Sequence, residues 1–267
     1  MQQQYKYVSE FKYIASRANP LIVRVNELKD KKGRTASGLF AIEGEKLLTE
    51  VMQSKYALEF VLVTEKAADS YSILEEVQRL AQIYVVADPV YQKLTQEQAP
   101  QGILAAVRLP DVYATADAGL PAIILHSVRD PVNVGTILRS ALAFGVHTVY
   151  LSSDCADIYS GKVFRASMGT LFKLNTVAYA DISEVCDRLR QMDCAIYAAA
   201  LGHNTISLAG VASDKRNVFI FGNEGQGLPD EIIALADSAV KIPIQPDCES
   251  LNVAVAAGVI LYHNNKL

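Results

Sequence analysis

Apolar residues recur along this chain in two alternating patterns, and the alternation predicts an α/β fold. Continuous apolar runs predict strands at 39–42, 60–63, 83–86 and 103–107, and apolar stripes of helical spacing predict helices at 45–54 and 72–81. The rhythm returns with strands at 122–125, 148–151, 195–199, 218–221 and 240–244. Such near-continuous apolar strands, separated by helices, indicate a parallel sheet covered on both faces. Ligands bind at the carboxyl ends of the strands in sheets of this kind.

Breaks in these patterns predict the domain boundaries. The stretch 109–121, LPDVYATADAGLP, holds two prolines and a glycine and predicts a linker between a domain at 38–108 and a domain at 122–267. Residues 1–34 carry eight Lys or Arg and three acidic residues, a net charge of 8 − 3 = +5, whereas the whole chain has −4. A basic arm over 1–37 is suited to phosphates, and a solvated helix face is the simpler alternative.

Composition narrows the class of protein. Of the 267 residues 51% are apolar and 20% are charged, which is typical of a globular protein with a sizeable core. The start, MQQQYKYVSEFKY, lacks the apolar segment of a secretory signal, and no apolar run is long enough for a membrane span. The four cysteines form no CxxC pair, so we expect reduced thiols, a cytoplasmic protein and no metal site.

The stretch Val218 to Leu228, VFIFGNEGQGL, predicts a buried strand that ends in a ligand-binding loop. It places three glycines within six residues, and glycine lets a backbone approach a ligand closely. The order is GxxGxG, which differs from the GxGxxG of dinucleotide-binding folds. A plain turn between a strand and a helix is the alternative interpretation of these residues.

Two further stretches follow predicted strands and carry polar residues. In DPVNVGTILRSA, Asn133 is expected to cap a helix, and Arg139 lies six residues later. The second stretch, IPIQPDCESLNVA, leads into an alanine-rich helix that runs to about Tyr262. The residue types alone leave open that Arg139 is a surface arginine and that Ser250 and Asn252 are only helix caps.

In their order and spacing, the three stretches closely resemble the motifs of the SpoU family of RNA 2′-O-ribose methyltransferases, which belongs to the SPOUT superfamily. The matching segments are DPVNVGTILRSALAFGV, FIFGNEGQGLP and IPIQPDCESLNVAVAAGVILY. The resemblance implies a C-terminal α/β domain with a parallel sheet and a trefoil knot. Residues 38–107 are more loosely similar to the RNA substrate-binding domain of the L30e and L7Ae type that precedes it in many members.

The resemblance also implies a cofactor and a set of site residues. It assigns contacts with S-adenosylmethionine (AdoMet) to Ala200, Leu201, Gly202, Gly222, Asn223, Glu224, Gly225, Ile242, Pro243, Ile244, Leu251 and Asn252. It assigns activation of the ribose hydroxyl to Arg139, supported by Asn133, Glu224, Ser250 and Asn252. Contacts with RNA phosphates are expected from Arg129, Lys162, Arg165, Lys31, Lys32 and Arg34.

The expected function is therefore AdoMet-dependent 2′-O-methylation of structured RNA, most simply 23S rRNA, by a homodimer that pairs through its C-terminal domain. A tRNA target and a catalytically idle RNA-binding factor on the same fold are the alternatives. A nucleotide-dependent oxidoreductase is a third possibility from the parallel βα units alone, but the dinucleotide fingerprint is missing.

Overall fold

Two β-sheets organise the chain, one in each of two structural units. The computed structural model describes residues 11–110, 119–201 and 205–265. The first unit comprises the described residues up to Pro110 together with Tyr159–Phe164. The second comprises the described residues from Gly119 to Ile158 and from Arg165 onward. Residues 111–118 of the predicted linker lie outside the described part of the chain.

The first unit has a mixed sheet in the order β1-β4-β3-β5-β2, in which β5 runs antiparallel to both of its neighbours. Its elements are β1 Lys12–Ile14, α1 Pro20–Glu27, α2 Lys31–Ser37, β2 Leu39–Glu43, α3 Glu45–Met52, β3 Leu58–Val63, α4 Glu65–Ser70, α5 Leu74–Val77, β4 Gln82–Val86, α6 Asp88–Leu94 and β5 Ile103–Arg108.

Described residues of the segment predicted as a basic arm contribute to the core of this unit. Ile14 of β1, together with Ile22 and Val25 of α1, is buried in the core with β3, β4 and α6. The described residues of the segment 1–37 are therefore part of the first unit, and residues 1–10 lie outside the described chain. The predicted helix at 72–81 is reduced to α5, and Leu80, an apolar residue of the predicted helix, is exposed.

The second sheet has seven strands, all parallel, in the order β10-β12-β9-β11-β6-β7-β8. The elements after residue 121 are β6 Ala122–Leu125, α7 Pro131–Ala143, β7 Thr148–Ser152, α8 Gly161–Ser167, β8 Asn175–Tyr179, α9 Ile182–Gln191, β9 Ala195–Ala199, β10 Thr205–Ser207, β11 Asn217–Phe221, α10 Asp230–Ile233, β12 Ser238–Lys241 and α11 Val253–Asn264. Short 3₁₀ turns lie at Thr170–Lys173 and Leu208–Gly210.

Strand burial explains which strands the sequence predicted. Every residue of β6, β7 and β11 is buried, as expected for central strands between two layers of helices. The strands β8 and β10 lie at the two edges of the sheet, carry half-exposed residues and were not predicted. The strand predicted at 240–244 ends at Lys241, so Ile242, Pro243 and Ile244 belong to the following loop.

Among the described residues no helix has the length and apolar character that a membrane span requires.

Candidate functional site

A cavity of about 340 Å³ lies at the carboxyl ends of β9, β11 and β12. Its walls come from the loops that follow these strands and from one side of α11. Nine of the twelve residues predicted to contact a cofactor line it, namely Ala200, Leu201, Gly222, Asn223, Glu224, Gly225, Ile242, Ile244 and Leu251. Ser250 also lines it, Pro243 and Asn252 do not, and Gly202 lies outside the described residues.

The loop that follows β11 is held by its own hydrogen bonds. Asn223 and Gly227 exchange backbone bonds of 3.1 and 3.0 Å. The side-chain oxygen of Asn223 accepts from the backbone N–H of Gly225 (2.9 Å) and of Gln226 (3.1 Å). These four bonds close a tight turn on one wall of the cavity.

The three glycines of this loop have different physical reasons. A Cβ on Gly222 would lie 2.8 Å from the carbonyl carbon and oxygen of Gly227, so the loop itself excludes a side chain there. Gly227 has φ of +70°, which favours glycine. At Gly225 a Cβ would meet only the Asn223 side-chain oxygen, at 3.7 Å. Loop geometry alone therefore requires glycine at positions 222 and 227, whereas it leaves room for a side chain at Gly225.

Side chains from the three sequence motifs form one hydrogen-bonded chain, which we call the motif triad: Asn133, Glu224 and Asn252. The Nδ2 of Asn133 donates to Oε1 of Glu224 (3.0 Å), and the Nδ2 of Asn252 donates to Oδ1 of Asn133 (3.0 Å). The backbone N–H of Asp130 also donates to Oε1 of Glu224 (3.2 Å). Since Glu224 lines the cavity, the triad connects the cavity to the first turn of α7.

The capping of α7 and α11 explains how the side-chain amides of Asn133 and Asn252 can form the triad. The N-cap of α7 is Asp130, whose carboxylate accepts from the N–H groups of Val132 (2.7 Å) and Asn133 (2.9 Å). The prediction that Asn133 is the cap is therefore wrong, and its side chain is left to bond Glu224. Asn252 is both a cap and a member of the triad, because its Oδ1 caps α11 while its Nδ2 donates to Asn133.

Comparison with known proteins identifies this arrangement. The SpoU rRNA Methylase family matches residues 121–262, which is more than half of the chain. The chain belongs to the SpoU rRNA methylase family. The MRM3-like substrate binding domain matches residues 19–105, most of the first unit. The family resemblance and the α/β class with a parallel C-terminal sheet are thus confirmed, and the oxidoreductase alternative loses its basis.

Relatives cover nearly the whole chain. The 23S rRNA (guanosine(2553)-2′-O)-methyltransferase RlmP of Bacillus subtilis (strain 168) is 31% identical over 94% of this chain and 98% of its own. The 23S rRNA (uridine(2479)-2′-O)-methyltransferase of Streptomyces viridochromogenes is 27% identical, with 88% and 85% covered. The solved structure of AdoMet-bound rRNA methyltransferase from Sinorhizobium meliloti has a TM-score of 0.83 and 25% identity, with 96% and 97% covered.

Of the five predicted catalytic residues, Ser250 lies on the cavity wall without bonding to the triad, and Arg139 is not bonded to the triad either. It is exposed on α7, six residues after Asn133. That separation corresponds to about 9 Å along the helix axis and about 120° around it. No hydrogen bond or ion pair of Arg139 with another described residue is found, so its guanidinium faces solvent in the single chain.

Most residues expected to contact RNA are exposed. Lys31 and Lys32 lie exposed on α2, and Lys162 and Arg165 lie exposed on α8. The side chain of Arg129 is 68% exposed, and its Nη2 donates to Oδ2 of Asp154 at 3.1 Å. The charge of Arg129 is therefore partly balanced by a neighbouring carboxylate.

Arg34 is a correction to this set. Its side chain is buried, and its Nη1 donates to the carbonyl oxygens of Leu28 (2.6 Å) and Lys29 (2.9 Å). These bonds join α2 to the end of α1, so the Arg34 guanidinium is engaged inside the first unit and is not exposed. The sequence alone does not distinguish this buried arginine from its exposed basic neighbours, because all of them appear only as basic residues in one stretch.

A polar cluster that the sequence does not predict lies beside the triad and is formed by Ser127, Ser152 and Asp154. Ser127 follows β6, and the other two lie at the end of β7 and just beyond it. Single polar residues after a strand are common, so only the left-handed backbone of Ser127 (φ 58°) marks the position as special, and that is not visible in the sequence.

The described residues contain no group of three metal-ligating side chains.

Proposed function

We propose that this chain transfers a methyl group from AdoMet to the 2′-hydroxyl of a ribose in rRNA, most simply 23S rRNA. The observation that carries the proposal is the motif triad, which joins residues 91 and 119 positions apart in the sequence at the edge of the cavity. The named 23S rRNA methyltransferases among the relatives support the RNA class. They act on a guanosine and on a uridine, so the base is not inferred from them.

The cavity residues are suited to AdoMet. Its volume of about 340 Å³ lies within the usual range of small-molecule sites, about 300–1,000 Å³. Apolar side chains such as Leu251 and Ile260 line one part, and exposed backbone of the 222–227 loop lines another. The N–H of Gly225 is already bonded to the Asn223 side chain, and the space around Gly225 lets a ligand approach the backbone of the loop closely. When bound, AdoMet supplies an electrophilic methyl group.

We assign the chain's own residues to positioning and charge. Glu224 orients the amide of Asn133, and Asn252 fixes that amide from its other side. Arg139 holds the phosphate next to the reacting ribose and polarises the 2′-hydroxyl. A guanidinium carries several directed N–H donors on one positive charge, so we assign Arg139 a role in charge and geometry. Holding the hydroxyl in line with the methyl group lowers the barrier substantially.

We also propose that the functional species is a homodimer that pairs through α11. The side chains of Val255, Val259 and Tyr262 are 53%, 38% and 71% exposed. Their spacing of four and three residues places them on one stripe of the helix. An apolar stripe of this kind on a helix that is apolar on its other side as well is typical of a partner interface.

One experiment tests the proposed function. AdoMet binding is measured by calorimetry, and transfer of a labelled methyl group is measured on in vitro transcribed 23S rRNA, 16S rRNA and total tRNA. We expect AdoMet binding and transfer to 23S rRNA, and loss of most transfer in Arg139→Ala with AdoMet affinity kept. Transfer only to tRNA would exclude the rRNA target. AdoMet or RNA binding with no transfer to any RNA would favour the idle-factor alternative.

A further inference from the structure

Ser127 is the centre of a hydrogen-bond network at the ends of β6 and β7. Its backbone N–H donates to Oγ of Ser152 (2.9 Å), and its hydroxyl donates to Oδ2 of Asp154 (2.7 Å). Its carbonyl oxygen accepts from Nδ2 of Asn223 (3.0 Å). All three polar groups of this residue are thus engaged, one of them by the cavity loop.

The backbone of Ser127 is left-handed, with φ of 58°, a conformation that glycine adopts far more readily than serine. A glycine here would keep the two backbone hydrogen bonds. It would lose only the bond from the hydroxyl to Asp154. The structural consequence of having serine at this strained position is therefore a fixed contact with that carboxylate.

Asp154 gathers three donors. Oδ1 accepts from the hydroxyl of Ser152 (2.6 Å), and Oδ2 accepts from the hydroxyl of Ser127 (2.7 Å) and from Arg129 (3.1 Å). The hydroxyl bonds from Ser152 and Ser127, with a smaller contribution from Arg129, hold the pKa of this carboxyl well below its usual range. Asp154 is therefore ionised at neutral pH, and the hydrogen bonds that it accepts are charge-assisted.

The segment Ser127 to Asp130 touches the cavity loop at both of its ends. At one end the Ser127 carbonyl accepts from Asn223, and at the other the Asp130 N–H donates to Glu224. Arg129 lies between these two anchors and keeps a largely exposed guanidinium. A guanidinium has five N–H donors, so the bond to Asp154 leaves donors for a phosphate.

We propose that Asp154 is a positioning residue for methyl transfer, which through Ser127 and Arg129 fixes the segment that presents Arg129 to the RNA backbone beside the reacting ribose. This inference rests on the proposed function. The competing explanation is simple neutralisation, in which Asp154 only offsets the charge of Arg129 and weakens the attraction of Arg129 for phosphate. The two roles predict effects of opposite sign when the carboxylate is removed.

The test uses the full chain and compares Asp154→Asn with wild type for methyl transfer to 23S rRNA and for AdoMet binding. Positioning predicts that kcat/KM for RNA falls by about tenfold or more, while Kd for AdoMet stays within about twofold. Simple neutralisation predicts that kcat/KM rises, because Arg129 gains free charge. An unchanged or raised value overturns the proposal.

Two further variants separate positioning from folding. Ser127→Gly removes the hydroxyl but relieves the left-handed backbone, so we expect an unchanged or higher Tm together with a loss of kcat/KM like that of Asp154→Asn. Full activity of Ser127→Gly overturns the proposal. The matched control is Asp193→Asn, which removes a surface ion pair with Arg216 from an aspartate that is 84% exposed, and it should leave kcat/KM unchanged. An inactive wild type overturns the proposed function as well, whereas an active wild type with an unaffected Asp154→Asn overturns the positioning role alone.

Discussion

Gly222 and Gly225 lie in one loop but differ in what a side chain would meet. Because a Cβ at Gly222 would collide with the Gly227 backbone, we expect Gly222→Ala to destabilise the fold by about 1–3 kcal/mol, as overpacking does, and to weaken AdoMet binding. Gly225→Ala has room within the chain, so its free energy of unfolding should change by less than about 0.5 kcal/mol. Urea unfolding and AdoMet calorimetry measure both effects. Equal destabilisation by the two variants would contradict this account.

Cys248 offers a probe of the cavity wall, because it is the exposed one of the four cysteines. It lies in the loop between Ile244 and Ser250, both of which line the cavity. Burial raises the pKa of the Cys155, Cys186 and Cys194 thiols, so little reactive thiolate is present there. We expect one thiol to react rapidly with a disulfide reagent in the native protein and AdoMet to slow that reaction. Rapid reaction of several thiols, or no protection by AdoMet, would argue against this placement.

At the scale of elements, the sequence predicts what is central and long. The buried strands β6, β7 and β11 and the helices α3, α7 and α11 follow from apolar runs and helical spacing. The helices α4 and α6 span only six and seven residues, too short for a periodic pattern to emerge, and the helix predicted at 72–81 is only the four residues of α5. The capping of α7 was assigned to Asn133 instead of Asp130, because both are good caps and only the backbone decides between them.

The exposed stripe of α11 leads to a prediction about assembly. Val259→Glu places a charge among Val255 and Tyr262, so we expect it to convert a dimer into a monomer in light scattering. Ile206→Glu alters another exposed apolar residue, on the edge strand β10, and serves as the control that should remain dimeric. A wild-type monomer, or a Val259→Glu variant that still dimerises, would show that α11 is not the interface.

At the scale of the whole molecule, the site residues could be named from sequence but their contacts could not. Family motifs supplied Asn133, Glu224 and Asn252, whereas their mutual hydrogen bonds depend on loops brought together by the order of a seven-stranded sheet. Ser127 and Asp154 carry no motif, and their contact appears only when β6 and β7 lie side by side. Long-range pairing of this kind has no local signature in one sequence.

The net charge of −4 makes RNA binding depend on where the basic residues are exposed. Lys31 and Lys32 lie exposed on α2, within the part of the chain that matches the MRM3-like substrate binding domain. We expect Lys31→Ala with Lys32→Ala to weaken binding of 23S rRNA and to reduce the slope of log Kd against log salt by roughly 1–2. AdoMet affinity and Tm should stay unchanged.

Arg34 provides the contrast on the same helix, because it is buried and bonded to the Leu28 and Lys29 carbonyls. Arg34→Ala should lower the free energy of unfolding by about 1–3 kcal/mol, since buried acceptors lose their donor. For Arg34→Ala, the slope of log Kd for 23S rRNA against log salt, measured well below its Tm, should equal that of the wild type. If Arg34→Ala lowered the salt slope and the double lysine variant did not, the basic surface of α2 would not be the surface that meets RNA phosphates.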